Sequence, residues 1–271
     1  MKTAELDRPA HLMPMPLWQA ALMFAIPSAM ATVGLYGALP AIQARTSGPI
    51  LWWYLLFYIG PLALMVPAAY VAARLEGTPA SWRALAGRLR LRSVHGRESL
   101  WVLLVVAVGL VGQFLLSGTS RWLASTPLFA PPLNIAPAVD PRVQQSGLPS
   151  EVMGVPVTGN WLLVVLYLLA LLPNIVGEEC YLRGIILPRQ EVVYGRWAWL
   201  LHGVLWTLFH FFQRWTYLQI LPATLVTSYV VSRTKNTTIG IVAHFIGNAV
   251  MGWLPIIMAV GGIGIVPRAT A

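Results

Sequence analysis

Residues 160–183 read NWLLVVLYLLALLPNIVGEECYLR. From Trp161 to Gly177 the stretch carries no charge, and then two carboxylates follow side by side, Glu178 and Glu179. A helix needs about 20 mostly apolar residues to cross a bilayer. The run 160–177 therefore reads as a short membrane span that ends on two acids. Carboxylates next to lipid are costly, and by default they mark a functional site.

Outward from this stretch the same composition continues. Hydrophobic residues make up 57% of the 271-residue chain and charged residues only 10%, where a soluble domain carries about a quarter charged. Seven spans are expected, at roughly 17–42, 50–73, 100–116, 160–177, 197–213, 216–232 and 238–260, or eight if a re-entrant segment is hidden among them. In lipid a helix satisfies its own backbone hydrogen bonds, so the expected fold is an all-α polytopic bundle with an intramembrane cavity. The chain divides into residues 1–150, with N-terminal helices, a basic loop and the start of a proline-rich loop, and residues 151–271, which carry the chemistry.

The net charge of +9 excludes less than it suggests. Arg74, Arg83, Arg88, Arg90, Arg92 and Arg97 cluster between two apolar runs. This reads as a cytoplasmic loop on anionic lipid, with 81–97 as an interfacial helix. No nucleic-acid module accompanies it. With the N-terminus and this loop inside, thirteen Lys and Arg fall inside and five outside, which predicts N-in and C-out. The apolar run after Lys2 and Arg8 continues to Ile42 past the cleavage-like Ala29-Met30-Ala31, so an uncleaved first helix is expected. Seven prolines between Ser117 and Asn160 predict an irregular external loop. A lone Cys180 leaves no internal disulfide partner.

Helical spacing sorts the polar groups. Glu179 and Arg183 are four apart and can pair on one face. Glu178 points about 100° away and is free to face the bundle interior as a general base. Trp206 with His210, and His244 with Asn248, are also four apart. His202 is expected to pack or hydrogen-bond, and Cys180 to be an inert small residue. Simple counting puts Glu178, His210 and His244 at different depths, so a shared site requires a correction. The preferred one makes 178–189 a helix re-entering the bilayer, ended by Pro188 and Arg189.

Taken in order, Glu178-Glu179-Cys180-Tyr181-Leu182-Arg183, Trp206 four before His210, and His244-Phe245-Ile246-Gly247-Asn248 resemble the three motifs of the CPBP family of intramembrane proteases, which includes the type II CAAX prenyl endopeptidases and bacteriocin-processing or self-immunity proteins. The resemblance covers 160 to about 255. It departs at Trp206, where Phe is commoner. The resemblance implies a cavity open to the cytoplasmic leaflet and a catalytic set of Glu178, Glu179, Arg183, His210, His244 and Asn248. Glu178 would activate water beside His210, while His244 and Asn248 would bind metal or stabilise the oxyanion. Zn²⁺ or another divalent metal on His210, His244 and Glu178 is one implied mechanism, and metal-free hydrolysis is the other. The implied partners are the bilayer and a membrane-proximal or prenylated peptide. Two rival readings remain open: a non-catalytic scaffold or self-immunity protein, and a transporter carrying protons on Glu178.

Overall fold

A computed structural model describes residues 12–132, 140–143 and 150–263. Lys2, Arg8, Pro137, Pro149 and Arg268, used in the charge count and the loop reading, lie outside these residues.

Nearly all of the described chain is helical. The helices are α1 (Leu17–Val33), α2 (Leu39–Gln43), α3 (Leu51–Ala63), α4 (Met65–Leu75), α5 (Trp82–Arg88), α6 (Arg97–Leu115), α7 (Ser117–Ala124), α8 (Trp161–Glu178), α9 (Leu187–Tyr194), α10 (Ala198–Phe209), α11 (Tyr217–Thr234), α12 (Thr237–Asn248) and α13 (Leu254–Val260). A two-residue antiparallel pair, Glu151–Val152 with Val155–Pro156, precedes α8.

Hydrophobicity alone cannot tell these helices which side to bury, because both sides are apolar. Size does the sorting. Along α1 the large exposed side chains include Trp18, Leu22, Ile26, Met30 and Val33, one stripe. The opposite stripe, Ala20, Phe24, Ser28 and Ala31, is buried and mostly small. In α6, Leu100, Leu103, Val111 and Phe114 point outward, while Gly109 lies buried against α11. Large apolar residues outside and small ones at helix crossings are the arrangement of a bundle solvated by lipid. The Gly109–Gly112 stretch of α6 meets Ala223 and Pro222 of α11 so closely that a Cβ on Gly112 would overlap the proline ring.

By length and composition, five helical runs among the described residues can cross a membrane: Leu17–Gln43, Leu51–Leu75, Arg97–Leu115, Trp161–Thr234 and Thr237–Val260. The protein is an all-α membrane protein with several apolar helices. Four of the runs reproduce expected spans to within about three residues. The expected fourth, fifth and sixth spans are joined in the single 74-residue run, because the junctions between them are themselves helical. At 1.5 Å per residue that run would be roughly 110 Å long if straight. Instead it folds back, with α10 packed along α11 and α11 along α6.

Three junctions depart from expectation. The stretch after Glu178 does not end at Pro188. It widens into a π-helical segment, Glu179–Ile186, whose eight residues are all buried, and continues as α9 with Pro188 as its second residue. The hairpin expected at Arg214–Trp215 begins earlier: α10 stops at Phe209, and the corner His210–Thr216 is tight 3₁₀ helix broken at Gln213 (φ −136°, ψ 42°). Part of the expected external loop is helical, as α7.

The basic loop is only partly free for lipid. Arg88, nearly buried, forms a bidentate pair with Glu76 (2.5 and 3.0 Å) and donates to the Gly184 carbonyl of the π segment (2.6 Å). Arg90 pairs with Glu191 at 2.8 Å. The expected interfacial helix shrinks to α5, capped by Ser81, whose Oγ accepts from the Ala84 N–H. Arg83, Arg92 and Arg97 remain exposed. The core surrounds the π segment, where Leu182, Ile185 and Ile186 pack with Phe24, Leu62, Met65 and Phe209.

Candidate active site

The helical run Trp161–Tyr194 places Glu178 near its middle, not at an end. This removes the conflict of depths. With α8 prolonged by the π segment and α9, the acids sit beside the α10–α11 corner that carries His210 and beside the second half of α12, which carries His244 and Asn248.

The change from α to π geometry falls between the two acids, and such bulges recur at functional sites. It sends them to different partners. Glu178, 3% exposed, accepts a hydrogen bond at Oε2 from the Trp206 indole N–H (2.9 Å) and lines a cavity of about 250 Å³. Glu179, fully buried, turns to the other side. Its Oε1 accepts from His244 Nδ1 at 2.9 Å and lies 3.0 Å from an Arg183 guanidinium nitrogen. The Glu179–Arg183 pairing expected from spacing is present, with His244 as an unexpected third member. Among the described residues no Arg183 nitrogen has an aligned hydrogen-bond partner, so this pair is held by charge. The guanidinium carbon also lies 3.3 Å over the Trp206 ring, a close cation–π contact.

The histidine tautomers follow from their partners. A carboxylate and a carbonyl only accept, so His244 Nδ1 carries a proton toward Glu179, and His210 Nδ1 carries one toward the Trp206 carbonyl (2.9 Å). Each neutral ring therefore keeps a lone pair on Nε2. Glu178, His210, His244 and Asn248 all line the one cavity, and His210 lies within electrostatic reach of both Glu178 and His244. Glu179 and Arg183 stand behind the wall as a buried ion pair.

His202, fully buried, stays out of the cavity. It hydrogen-bonds Gln190 through Nδ1 (2.7 Å) and packs edge-on against Phe24, as a packing residue should. Cys180 is a buried free thiol in the core.

The set implied for a metal, His210, His244 and Glu178, has the tautomers that metal-ligating histidines need, each with its other nitrogen hydrogen-bonded. Yet among the described residues no three His, Cys, Asp or Glu side chains are gathered closely enough to hold an ion.

Two contributors escaped the sequence reading. Trp206 stands where Phe is commoner in the family, and its indole N–H makes the hydrogen bond to Glu178, which a phenyl ring cannot make. Gly240, one turn before His244 on α12, leaves the space that the Glu179 carboxylate occupies, and a Cβ there would overlap Oε2. A glycine one turn before a motif histidine is a signal that the sequence does carry.

Residues 160–250 match the family model described as type II CAAX prenyl endopeptidase Rce1-like. No curated protein matches the chain, and no solved structure does. The matched segment, about a third of the chain, contains all three motifs and every residue of the expected catalytic set. Over this segment the chain is similar to the CPBP family of intramembrane proteases.

Proposed function

We propose that the protein is an intramembrane endopeptidase that uses glutamate-activated water to hydrolyse a peptide bond in a membrane-proximal or lipidated peptide, CAAX-type processing included. The observation that carries this reading is the meeting of Glu178, His210, His244 and Asn248 on one cavity.

In this reading Glu178 takes a proton from water through the carboxylate oxygen not engaged by Trp206. The His210 Nε2 lone pair accepts the water's other O–H and aims the oxygen at the carbonyl carbon. As the C–O bond forms, the carbonyl π pair moves onto oxygen, and the Asn248 side-chain amide donates to that oxyanion. The C–N bond then breaks, and Glu178 returns its proton to the leaving amine. His244 accepts at Nε2 when neutral and donates there once protonated, with Glu179 balancing its charge. A divalent metal held by His210, His244 and Glu178 would require those side chains to move together, and its chemistry when bound would be polarisation of the carbonyl. The three apolar parts of the 74-residue run are read as three crossings, giving seven in all, with the N-terminus cytoplasmic.

The test is a cleavage assay on protein reconstituted in bilayer discs. A farnesylated CAAX peptide, its unprenylated form and a membrane-anchored peptide serve as substrates, and products are read by mass spectrometry with and without a chelator. Wild type should cleave at least one of them, and Glu178→Gln none, with unchanged melting. A well-folded Glu178→Gln variant that keeps wild-type activity would refute the general-base assignment. A wild type that cleaves none returns the protein to the scaffold or self-immunity reading. Activity lost to chelator and restored by Zn²⁺ would establish the metal route.

A further inference from the structure

The cavity wall is not made by the motif segment alone. α3 contributes Tyr58, more than a hundred residues before Glu178 and outside the segment that matches the family. Its ring is fixed on two sides: it stacks on Tyr54 with ring centres 5.8 Å apart, and it meets Phe212, of the corner that bears His210, edge-on at 5.5 Å. A tyrosine packed in this way usually finds a partner for its hydroxyl. Among the described residues the Tyr58 hydroxyl has none. The ring lines the same cavity as Glu178, and the hydroxyl lies within electrostatic reach of that carboxylate.

The motif residues that line the cavity offer few free donors. Tetrahedral intermediates of amide hydrolysis are held by preorganised donors, commonly two. His244 in its neutral form presents a lone pair to the cavity, because its ring proton faces Glu179. With the Trp206 N–H spent on Glu178, Asn248 is then the one motif group on the cavity whose donor is uncommitted while both histidines are neutral.

We propose that Tyr58 is a catalytic residue whose hydroxyl donates a hydrogen bond to the oxyanion of the tetrahedral intermediate, alongside Asn248. The inference rests on the proteolytic reading above. Tyr58 keeps its proton throughout. The water proton goes to Glu178 and then to the leaving amine, and the carbonyl electron pair returns from oxygen when the C–N bond breaks. The N-terminal half of the chain thus supplies a group that acts on the reacting atoms.

Tyr58→Phe keeps the ring, and with it the packing on Tyr54 and Phe212, and removes only the donor. Loss of one oxyanion donor lowers kcat by about 10²–10³-fold. The experiment compares wild type and Tyr58→Phe in bilayer discs on a cleaved peptide, and measures binding of a phosphinate analogue of that peptide, whose tetrahedral anionic group stands in for the oxyanion. The expected result is a kcat loss of about that size, a KM within about twofold, unchanged melting, and phosphinate affinity reduced in parallel with kcat/KM. Wild-type kcat in Tyr58→Phe overturns the assignment and leaves the protease reading standing. Equal losses in affinity for phosphinate and for uncleaved peptide overturn it as well, because they would mark a general binding role. If wild type neither cleaves a peptide nor binds its phosphinate analogue, the protease reading fails, and the Tyr58 assignment fails with it.

Discussion

Trp206 does three things at once: its N–H holds Glu178, its face carries Arg183, and its carbonyl fixes the His210 tautomer. Only the first depends on the indole nitrogen. Trp206→Phe should therefore keep the cavity shape and the His210 contact while releasing Glu178 Oε2. A hydrogen bond to a charged group is worth about 1.5–3 kcal/mol. With part of that recovered by water, kcat should fall roughly tenfold. Steady-state kinetics on a cleaved peptide decides it, and an unchanged kcat would mean that Glu178 is aimed by other contacts. Gly240→Ala tests the other acid. The added methyl would displace the Glu179 carboxylate from both His244 and Arg183, which leaves a buried cation poorly paired. Breaking a buried pair costs about 3–5 kcal/mol, so Gly240→Ala should melt well below wild type, and Gly240→Ala combined with Glu179→Gln should not melt lower still. Equal melting of Gly240→Ala and wild type would show that the carboxylate has room to move. The identities of the acids, histidines and amide were legible from spacing. Their partners were not, because Trp206 to Glu178 and His244 to Glu179 join residues 28 and 65 positions apart across different helices.

At the scale of elements, sequence periodicity located helices and misjudged their joints. Span ends at Leu17, Leu51 and Val260 were readable because apolar runs begin or stop there. The π segment was not, since a widened helix has the same composition as a narrow one, and the signal that selects it lies in what it packs against. Part of that signal is Arg88. It takes the Gly184 carbonyl and, more weakly at 3.5 Å, that of Ile185, while gripping Glu76. The sequence reading gave all six clustered arginines to the lipid, but charge counting cannot separate a buried guanidinium from an exposed one. Arg88→Ala should leave Glu76 with only the longer contact to Arg189 at 3.8 Å and the π segment without its donor. A loss of about 3 kcal/mol is expected, whereas Arg83→Ala, on an exposed residue, should stay within about 0.5 kcal/mol of wild type. Thermal melts of the two variants side by side measure the contrast. Equal stabilities would return Arg88 to the role of a surface charge.

At the scale of the whole molecule, the direction in which the bundle faces decides which compartment would supply a substrate to the proposed site. Orientation is set while the chain inserts, by Lys and Arg near the span ends, before Arg88 and Arg90 find their partners. All six clustered arginines therefore count toward topology, even though Arg88, Arg90 and Arg92 end in ion pairs. The chain offers a simple test, because its one cysteine, Cys180, is buried. A membrane-impermeant maleimide should ignore the native protein and report only on introduced thiols. Ser47, exposed between α2 and α3, and Ser93, exposed in the basic loop, lie at opposite ends of the run Leu51–Leu75. With the N-terminus inside, Ser47→Cys should label in intact cells and Ser93→Cys only after permeabilisation. The reverse pattern would place the basic loop outside against the positive-inside bias and turn the proposed cavity toward the opposite leaflet. Labelling of both positions in intact cells would mean that Leu51–Leu75 does not cross, which would remove the span that carries Tyr58 from the count of seven.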